Sequence, residues 1–368
     1  VSLTANAALS TQARGSILFP AALDGDRALR LDAQRVLFGG TVGQAAPLAN
    51  LTINARSTEV SSAIATTGDI AFNSAVTVDR SSAITSSAGN ITFANTLDSI
   101  RGSTNNLTLL AGDTITFRGA IGQTQRLGQL SADAANVTTA TTVAVDRLTV
   151  KARDNATLRG NTSVTSGGAI EATNVLLEGD LTAIGGSLDL QATRSVGIGN
   201  ITSNGGNVRI QGNAVAVGAI DSSQPSGTGG AIDLTSSAGA VIAGSLNASG
   251  AIGGNIAVNS SAGISALDLN SSATRGNGGI VSLNAIGNIQ LGFVNAQGGS
   301  NGNGANVDIT TTGLFRSNNV FNDISGNISS ISTVGSTGAG AIVIRHGGGS
   351  DRPFVVGSDS ENGTRGTI

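Results

Sequence analysis

A chain with no cysteine, methionine, tryptophan or tyrosine, and with one histidine and one lysine, leaves mainly carboxylates, hydroxyls, amides and arginines to do chemistry. Cleavage of a glycosidic bond would need two carboxylates held a few ångströms apart. Near Asp233, the residues one coil period away are Arg209 and Ala257; near Asp221 the corresponding residue is Asn247. Neither acid meets a second one, so no catalytic residue is assigned. His346 stands alone beside Arg345 and before three glycines. A lone imidazole builds neither a zinc site nor a triad, and it reads as a solvated loop residue.

The remaining candidates give structural readings. Calcium-binding nonapeptides need G-G-x-G-x-D-x-U-x in tandem. Gly347-Gly348-Gly349-Ser350-Asp351 approaches that pattern once and imperfectly, so no metal residue is assigned. The Gly-Asn-Gly at 302–304 lacks the lysine and following helix of a phosphate cradle, and no cofactor is expected. Asn-x-Ser/Thr recurs at Asn50, Asn90, Asn106, Asn136, Asn155, Asn161 and Asn200. An alternating strand naturally reads Asn-apolar-Thr, so most of these are structural, with glycosylation the competing reading. The phenylalanines (Phe19, Phe38, Phe72, Phe93, Phe117, Phe293, Phe315, Phe321, Phe354) read as core rather than as a sugar-stacking surface, because no tryptophan or tyrosine accompanies them.

The elements that would carry these side chains are strands. Of 368 residues 53 are glycine, hydrophobic residues reach 39% and charged ones only 12%. A disordered chain would be poorer in aliphatics and richer in charge. Lysine occurs once (Lys151) and glutamate at Glu59, Glu171, Glu178 and Glu361, while serine, threonine and asparagine fill the polar positions. These prefer strands, turns and caps, so essentially no helix is expected. With a net charge of −3 and scattered arginines, no basic patch invites nucleic acid. No apolar run approaches the roughly 20 residues of a membrane span, so no membrane insertion is expected. The absence of cysteine excludes thiol chemistry and suits an exported protein built without disulfides. The chain opens at Val1, has no methionine or signal peptide, and both ends read as cuts in something longer.

Periodicity organises the second half. Gly205-Gly206, Gly229-Gly230, Gly253-Gly254, Gly278-Gly279 and Gly304-Ala305 recur at a nearly constant spacing that lengthens slightly toward the end. Shorter coils open at Gly167-Gly168 and Gly185-Gly186. After each later pair comes an alternating strand whose inward residues are Val208/Ile210, Ile232/Leu234, Ile256/Val258, Val281/Leu283 and Val307/Ile309. A second register follows at Ile201, Ile220, Leu246, Leu269 and Val294. A single coil cannot offset its own ordering entropy, so the coils must stack and share a core. Glycine, asparagine and serine at the corners are explained by positive φ and side-chain-to-backbone bonds.

The first half carries a longer repeat. The segment 31–51 aligns without a gap on 110–130, matching Leu31/Leu110, Phe38/Phe117, Gly40/Gly119, Gly43/Gly122, Gln44/Gln123, Leu48/Leu127 and Leu51/Leu130. The expected organisation is a less regular entry coil at 1–28, a β-helix in long blocks set by that offset at 29–165, a β-helix in the shorter coils at 166–346, and a looser connector at 347–368.

The coils reading Gly-Gly-x-I/V-x-L/I/V, and the block F-x-G-x-V/I-G-Q-x-x-x-L-x-x-L at Phe38–Leu51 and Phe117–Leu130, resemble filamentous-haemagglutinin-like exoproteins of the two-partner secretion type. The large cyanobacterial members are the most similar. The tail from Arg345 through Pro353-Phe354-Val355-Val356-Gly357 to Asn362-Gly363-Thr364 is similar to a connector in that family. The resemblance implies an all-β, right-handed parallel β-helix, or β-solenoid. It also implies export through an outer-membrane barrel partner, an extracellular or cell-surface location in a Gram-negative-type bacterium, and roles in adhesion, aggregation or matrix. The family's N-terminal secretion domain is not found here, so the chain is expected to be shaft, with self-association or surface and matrix glycans as its partners. The competing expectations are a spacer for an adhesin tip and, more remotely, a polysaccharide-processing enzyme.

Overall fold

The computed structural model describes residues 1–11 and 15–368; residues 12–14, within the expected entry coil, lie outside the described residues. The chain forms two compact units, Val1–Gly179 and Asp180–Ile368. Each is a β-solenoid of stacked coils, and among the described residues there is no helix. The strands of successive coils pair in parallel, as coils wound in one direction require.

In the first unit three faces surround the core. On one face two columns run inward. The first is Leu29, Leu51, Ile70, Ile91, Ile115, Val137, Ala156 and Val175. The second, two positions on, is Leu31, Ile53, Phe72, Phe93, Phe117, Thr139, Leu158 and Leu177. Register brings the rings of Phe72, Phe93 and Phe117 into a near-parallel stack with centroids 4.9 and 5.2 Å apart. A second face stacks Val36, Thr58, Val76 and Leu97. There the buried Thr58 hydroxyl is satisfied by Ser74 at 2.7 Å. The third face stacks Leu23, Val42, Ile64, Ile84, Leu109, Ala132, Val150 and Ile170. Several strands bend round a corner without a break, as in Ala28–Phe38 and Val143–Leu158.

The two segments matched in the long repeat do not stack on each other. Phe38 pairs with Phe19 and Val60 on the second face, whereas Phe117 pairs with Phe93 and Thr139 on the first. What they share is a corner. In both, the chain crosses at a left-handed glycine, Gly43 at φ 69° and Gly122 at φ 67°, beside a carbonyl of the next coil. The carboxylate of Asp24 accepts the Ala45 and Ala46 amides, and that of Asp98 accepts those of Thr124 and Gln125. At its first position the alignment does not hold: Leu31 is buried, Leu110 is 44% exposed, and Leu109 takes the inward place.

The second unit stacks coils in the registers read from the sequence. Val208, Ile232, Ile256, Val281 and Val307 form one buried column, and Ile210, Leu234, Val258, Leu283 and Ile309 its neighbour. Ile201, Ile220, Leu246, Leu269 and Val294 form the column of another face, extended by Ile331. The third face carries Val196, Val215, Val241, Ile264, Ile289 and Phe315.

The glycine pairs at the corners have two causes. The expected positive φ is found at the first member of three pairs, Gly167, Gly185 and Gly205, at 97°, 80° and 85°. Elsewhere the coils approach too closely for a side chain. A Cβ on Gly230 would lie 2.1 Å from the Gly206 carbonyl oxygen, and one on Gly279 only 1.9 Å from that of Gly254. Serine completes the corner: the Ser222 hydroxyl donates to the Gly230 carbonyl at 2.7 Å while the Gly230 N–H donates to the Ser222 carbonyl at 2.7 Å. Ser271 and Gly279 repeat both bonds.

Two insertions interrupt the final coils. One contains a hairpin, Phe321–Asn322 against Ile328–Ser329, and is antiparallel. The other runs through 346–361, after which Gly363-Thr364 pairs with Arg316-Ser317 and returns the chain to the stack, with Thr364 fully buried. Within the segment expected as a connector, Gly363-Thr364 thus pairs with the stack.

Candidate functional site

A solenoid presents its chemistry as columns, because each outward position lies one strand spacing, roughly 4.8 Å, from its counterpart in the next coil. Beside the buried column Ile220, Leu246, Leu269, Val294 stands an outward column of Asp221, Asn247, Asn270 and Asn295. Asn247 Nδ2 donates to Asp221 Oδ1 at 3.0 Å, and Asn270 Nδ2 to Asn247 Oδ1 at 3.3 Å. The same oxygens accept the amides two positions on, Ser223 and Ser249, and Asn270 Oδ1 accepts that of Ser272, which fixes which way each amide points. Similar ladders run from Asp32 through Asn54 to Asn73, and from Asn136 through Asn155 to Asn174. At the base of its ladder Asp32 is hydrogen-bonded first by Arg30 and then by Asn54, and these bonds hold its carboxyl below the usual carboxylate range.

These ladders absorb many of the Asn-x-Ser/Thr sequences. Asn90, Asn136, Asn155 and Asn200 flank an inward apolar residue and bond across coils, Asn90 to Asp69 at 3.0 Å and Asn200 to Asp180 at 3.1 Å. Carboxylates do not gather in the same way. Asp233 lies between Arg209 and Ala257. Among the described residues no three of His, Cys, Asp and Glu could hold a metal together.

The least periodic surface of the second unit lies beside its second insertion. Arg316 sits on an outward position of the third face, its side chain only 13% exposed. Its Nε donates to Asn318 Oδ1 at 2.7 Å, its Nη1 to the Ser358 carbonyl at 2.6 Å and its Nη2 to Asp359 at 3.1 Å. One guanidinium thus fastens the second insertion to the stack. A cleft of about 620 Å³ opens beside it, lined by Asn288, Gln290, Arg352, Ser360 and Glu361 among others. It brings guanidinium, carboxylate and amide groups together but pairs no nucleophile with a base. A second cleft, about 560 Å³, lies at the Gly122–Arg126 corner, where Arg126 reaches across to Ser163.

His346 is placed more firmly than its sequence context suggests. Its Nδ1 accepts the Gly348 N–H at 3.2 Å and lies 3.1 Å from Asn362 Nδ2, and its ring meets that of Phe354 at 5.5 Å. Asn362 in turn accepts the Phe315 N–H and donates to the Arg352 carbonyl. The imidazole is a brace for the second insertion.

Asp323, which belongs to none of the motifs above, organises the hairpin. Desolvation pushes its carboxyl up, but the N–H of Asn327, the Ser329 hydroxyl, the Asn327 side chain and the Ser325 N–H together outweigh that and hold it below the ordinary range. The signal was Asp-x-Ser-Gly-Asn at 323–327, a side chain able to cap its own turn. No protein-family model, no curated protein and no solved structure matches this chain.

Proposed function

We propose that this chain is the shaft of a large secreted or cell-surface exoprotein, working as a structural component of extracellular fibres, sheath or matrix rather than as an enzyme. The observation that carries the reading is the repetition of the outward columns. In three outward columns an amide is bonded to its counterpart one coil away, as in Asp221, Asn247 and Asn270. A surface spent on holding coils together suits a spacer or a fibre. A polysaccharide-processing site would instead need acids converging on one place, and Asp221 and Asp233 have Asn247 and Ala257 above them.

The resemblance of the Gly-Gly coils and of the F-x-G-x-V/I-G-Q block supports export through an outer-membrane barrel partner. With 12% charged residues, little repulsion keeps neighbouring copies apart, which favours self-association, with surface or matrix glycans as the other partner class. Imaging of the native material tests the reading, together with localisation by antibody on fractionated cells. Filaments or layers of laterally packed copies outside the cell support it. Isolated projections from the cell favour the spacer of an anchored adhesin. A cytoplasmic location, or cleavage of a glycan panel that one carboxylate substitution abolishes, would overturn it.

A further inference from the structure

The chain contains five Asn-Gly dipeptides, at Asn204, Asn277, Asn301, Asn303 and Asn362. Asn-Gly is the pair most prone to cyclise, because glycine has no Cβ to block the approach of its backbone nitrogen to the asparagine side chain. Whether it does so in a folded protein depends on whether that nitrogen and that amide are free.

Four of the five are restrained. The Gly278 N–H donates to the Asn303 carbonyl at 3.0 Å, and Asn277 Oδ1 accepts the Asn303 N–H at 2.9 Å. The Gly304 N–H donates to Gly338 at 2.9 Å, while Asn303 Oδ1 accepts the Thr337 hydroxyl at 2.7 Å. The Gly302 N–H donates to Gly299 at 3.2 Å, in a corner where even a Cβ would lie 1.9 Å from the Gly276 oxygen. Asn362 is buried, with both ends of its amide bonded.

Asn204 differs in the nitrogen that follows it. Unlike the N–H groups of Gly278, Gly302 and Gly304, that of Gly205 has no hydrogen-bond partner among the described residues, and neither has the side-chain amide of the exposed Asn204. It occupies the crest of a tight turn whose ends are joined by Gly206 N–H to the Ser203 carbonyl at 2.9 Å and by the Ser203 hydroxyl to the Gly206 carbonyl at 2.6 Å, neither bond involving Asn204 or the Gly205 nitrogen. Among the described residues it is the one non-glycine with positive φ, 46°, so rotating out of the turn relieves rather than adds strain at that residue. Such rotation is what carries the Gly205 nitrogen towards the side chain. The carbonyl that must swing is held from outside only by an exposed bond from Gln224 at 3.3 Å.

We infer that Asn204 is a site of spontaneous covalent modification by deamidation. The Gly205 nitrogen gives up its proton and bonds to Cγ of Asn204, the Cγ–Nδ2 bond breaks, and ammonia leaves. Water then opens the five-membered imide at either carbonyl, leaving an aspartyl or isoaspartyl residue at that position. No reagent beyond water is consumed. The product gains a negative charge, and the isoaspartyl form lengthens the backbone beside the buried Ser203 corner.

Incubation of the folded chain in H₂¹⁸O at pH 8.5, followed by peptide mapping, tests the inference. Label should accumulate at Asn204 about tenfold faster than at any other Asn-Gly, and Asn204→Gln should abolish that peak while leaving the other four sites unchanged. In concentrated urea the five sites should react at comparable rates, which shows that the fold supplies the selectivity. Equal rates at all five sites in the folded chain, or faster labelling at Asn277, Asn301, Asn303 or Asn362, would overturn it.

Discussion

Asn247 Nδ2 lies 3.0 Å from Asp221 Oδ1, one coil below it, and donates a hydrogen bond that ties the two coils together from outside. The carboxylate can only accept and the amide can do both, so an aspartate can begin such a ladder and an asparagine can continue it.

Replacing that continuing member with a second acid sets two carboxylates one coil apart. Asn247→Asp is expected to destabilise the second unit at pH 7 by about 1–3 kcal/mol. The mutual repulsion raises the apparent pKa of the pair, so the deficit should shrink as pH falls through the carboxylate range. Urea midpoints of variant and parent at pH 7 and pH 4 check this. A deficit that grows on acidification would show that repulsion is not the cause.

At the glycine corner steric clash and hydrogen bonding can be separated. Gly230→Ala places a methyl against the Gly206 carbonyl and should cost about 1–3 kcal/mol through forced displacement of one coil. Ser222→Ala removes only a hydroxyl bond, at a position where the next coil carries Ala248, and should cost about 1 kcal/mol or less. The order of the two denaturation midpoints is the result to read.

Acid should release the hairpin before it unfolds the coils. The Asp323 carboxyl is held below its ordinary value of 3.8, so the stability it gives is fully present above that value. That contribution disappears as pH falls through the lower folded-state value. Exchange protection of the Ser325 and Asn327 amides should therefore weaken below about pH 4 while that of Val258 and Leu283 persists. In Asp323→Asn the pH dependence of those two amides should vanish.

Inside the first unit, Phe93 is stacked between Phe72 and Phe117. Phe93→Ala should cost about 3–5 kcal/mol, whereas Phe93→Leu, which refills most of the space, should cost less than half of that. Calorimetric or chemical denaturation of both variants measures the difference.

Where the pattern has period two and repeats, reading it from residues succeeds, because a slip of one residue would turn every aliphatic outward. Val208/Ile210 through Val307/Ile309 and Ile201 through Val294 fall in register for that reason. The block match was genuine as local chemistry and silent about position. A corner of Phe, Gly, Val or Ile and Gly can be set at any corner of the coil, and here it serves two different faces. Leu109 and Leu110 are equally apolar, and only the neighbouring Leu107 tells which one points in. The meeting of Ser358 and Asp359 with Arg316 was invisible because it joins an insertion to a strand far from it in sequence. Asp323 could have been found, since its turn is local.

Because consecutive corners in the second unit are built alike, the number of coils is decoupled from the design of any one of them. Val208 is followed one coil later by Ile232 and, after an equal interval, by Ile256, with Gly206, Gly230 and Gly254 stacked alongside. Excising the segment 232–255 would set Ile256 directly above Val208 and Asn270 above Asp221, with Gly230 still stacked on Gly206, each a pairing of types already present. For the gene this means that the stretch encoding one coil can be copied or lost between sister strands without a new interface having to arise. Length, in such a protein, is inherited as a count.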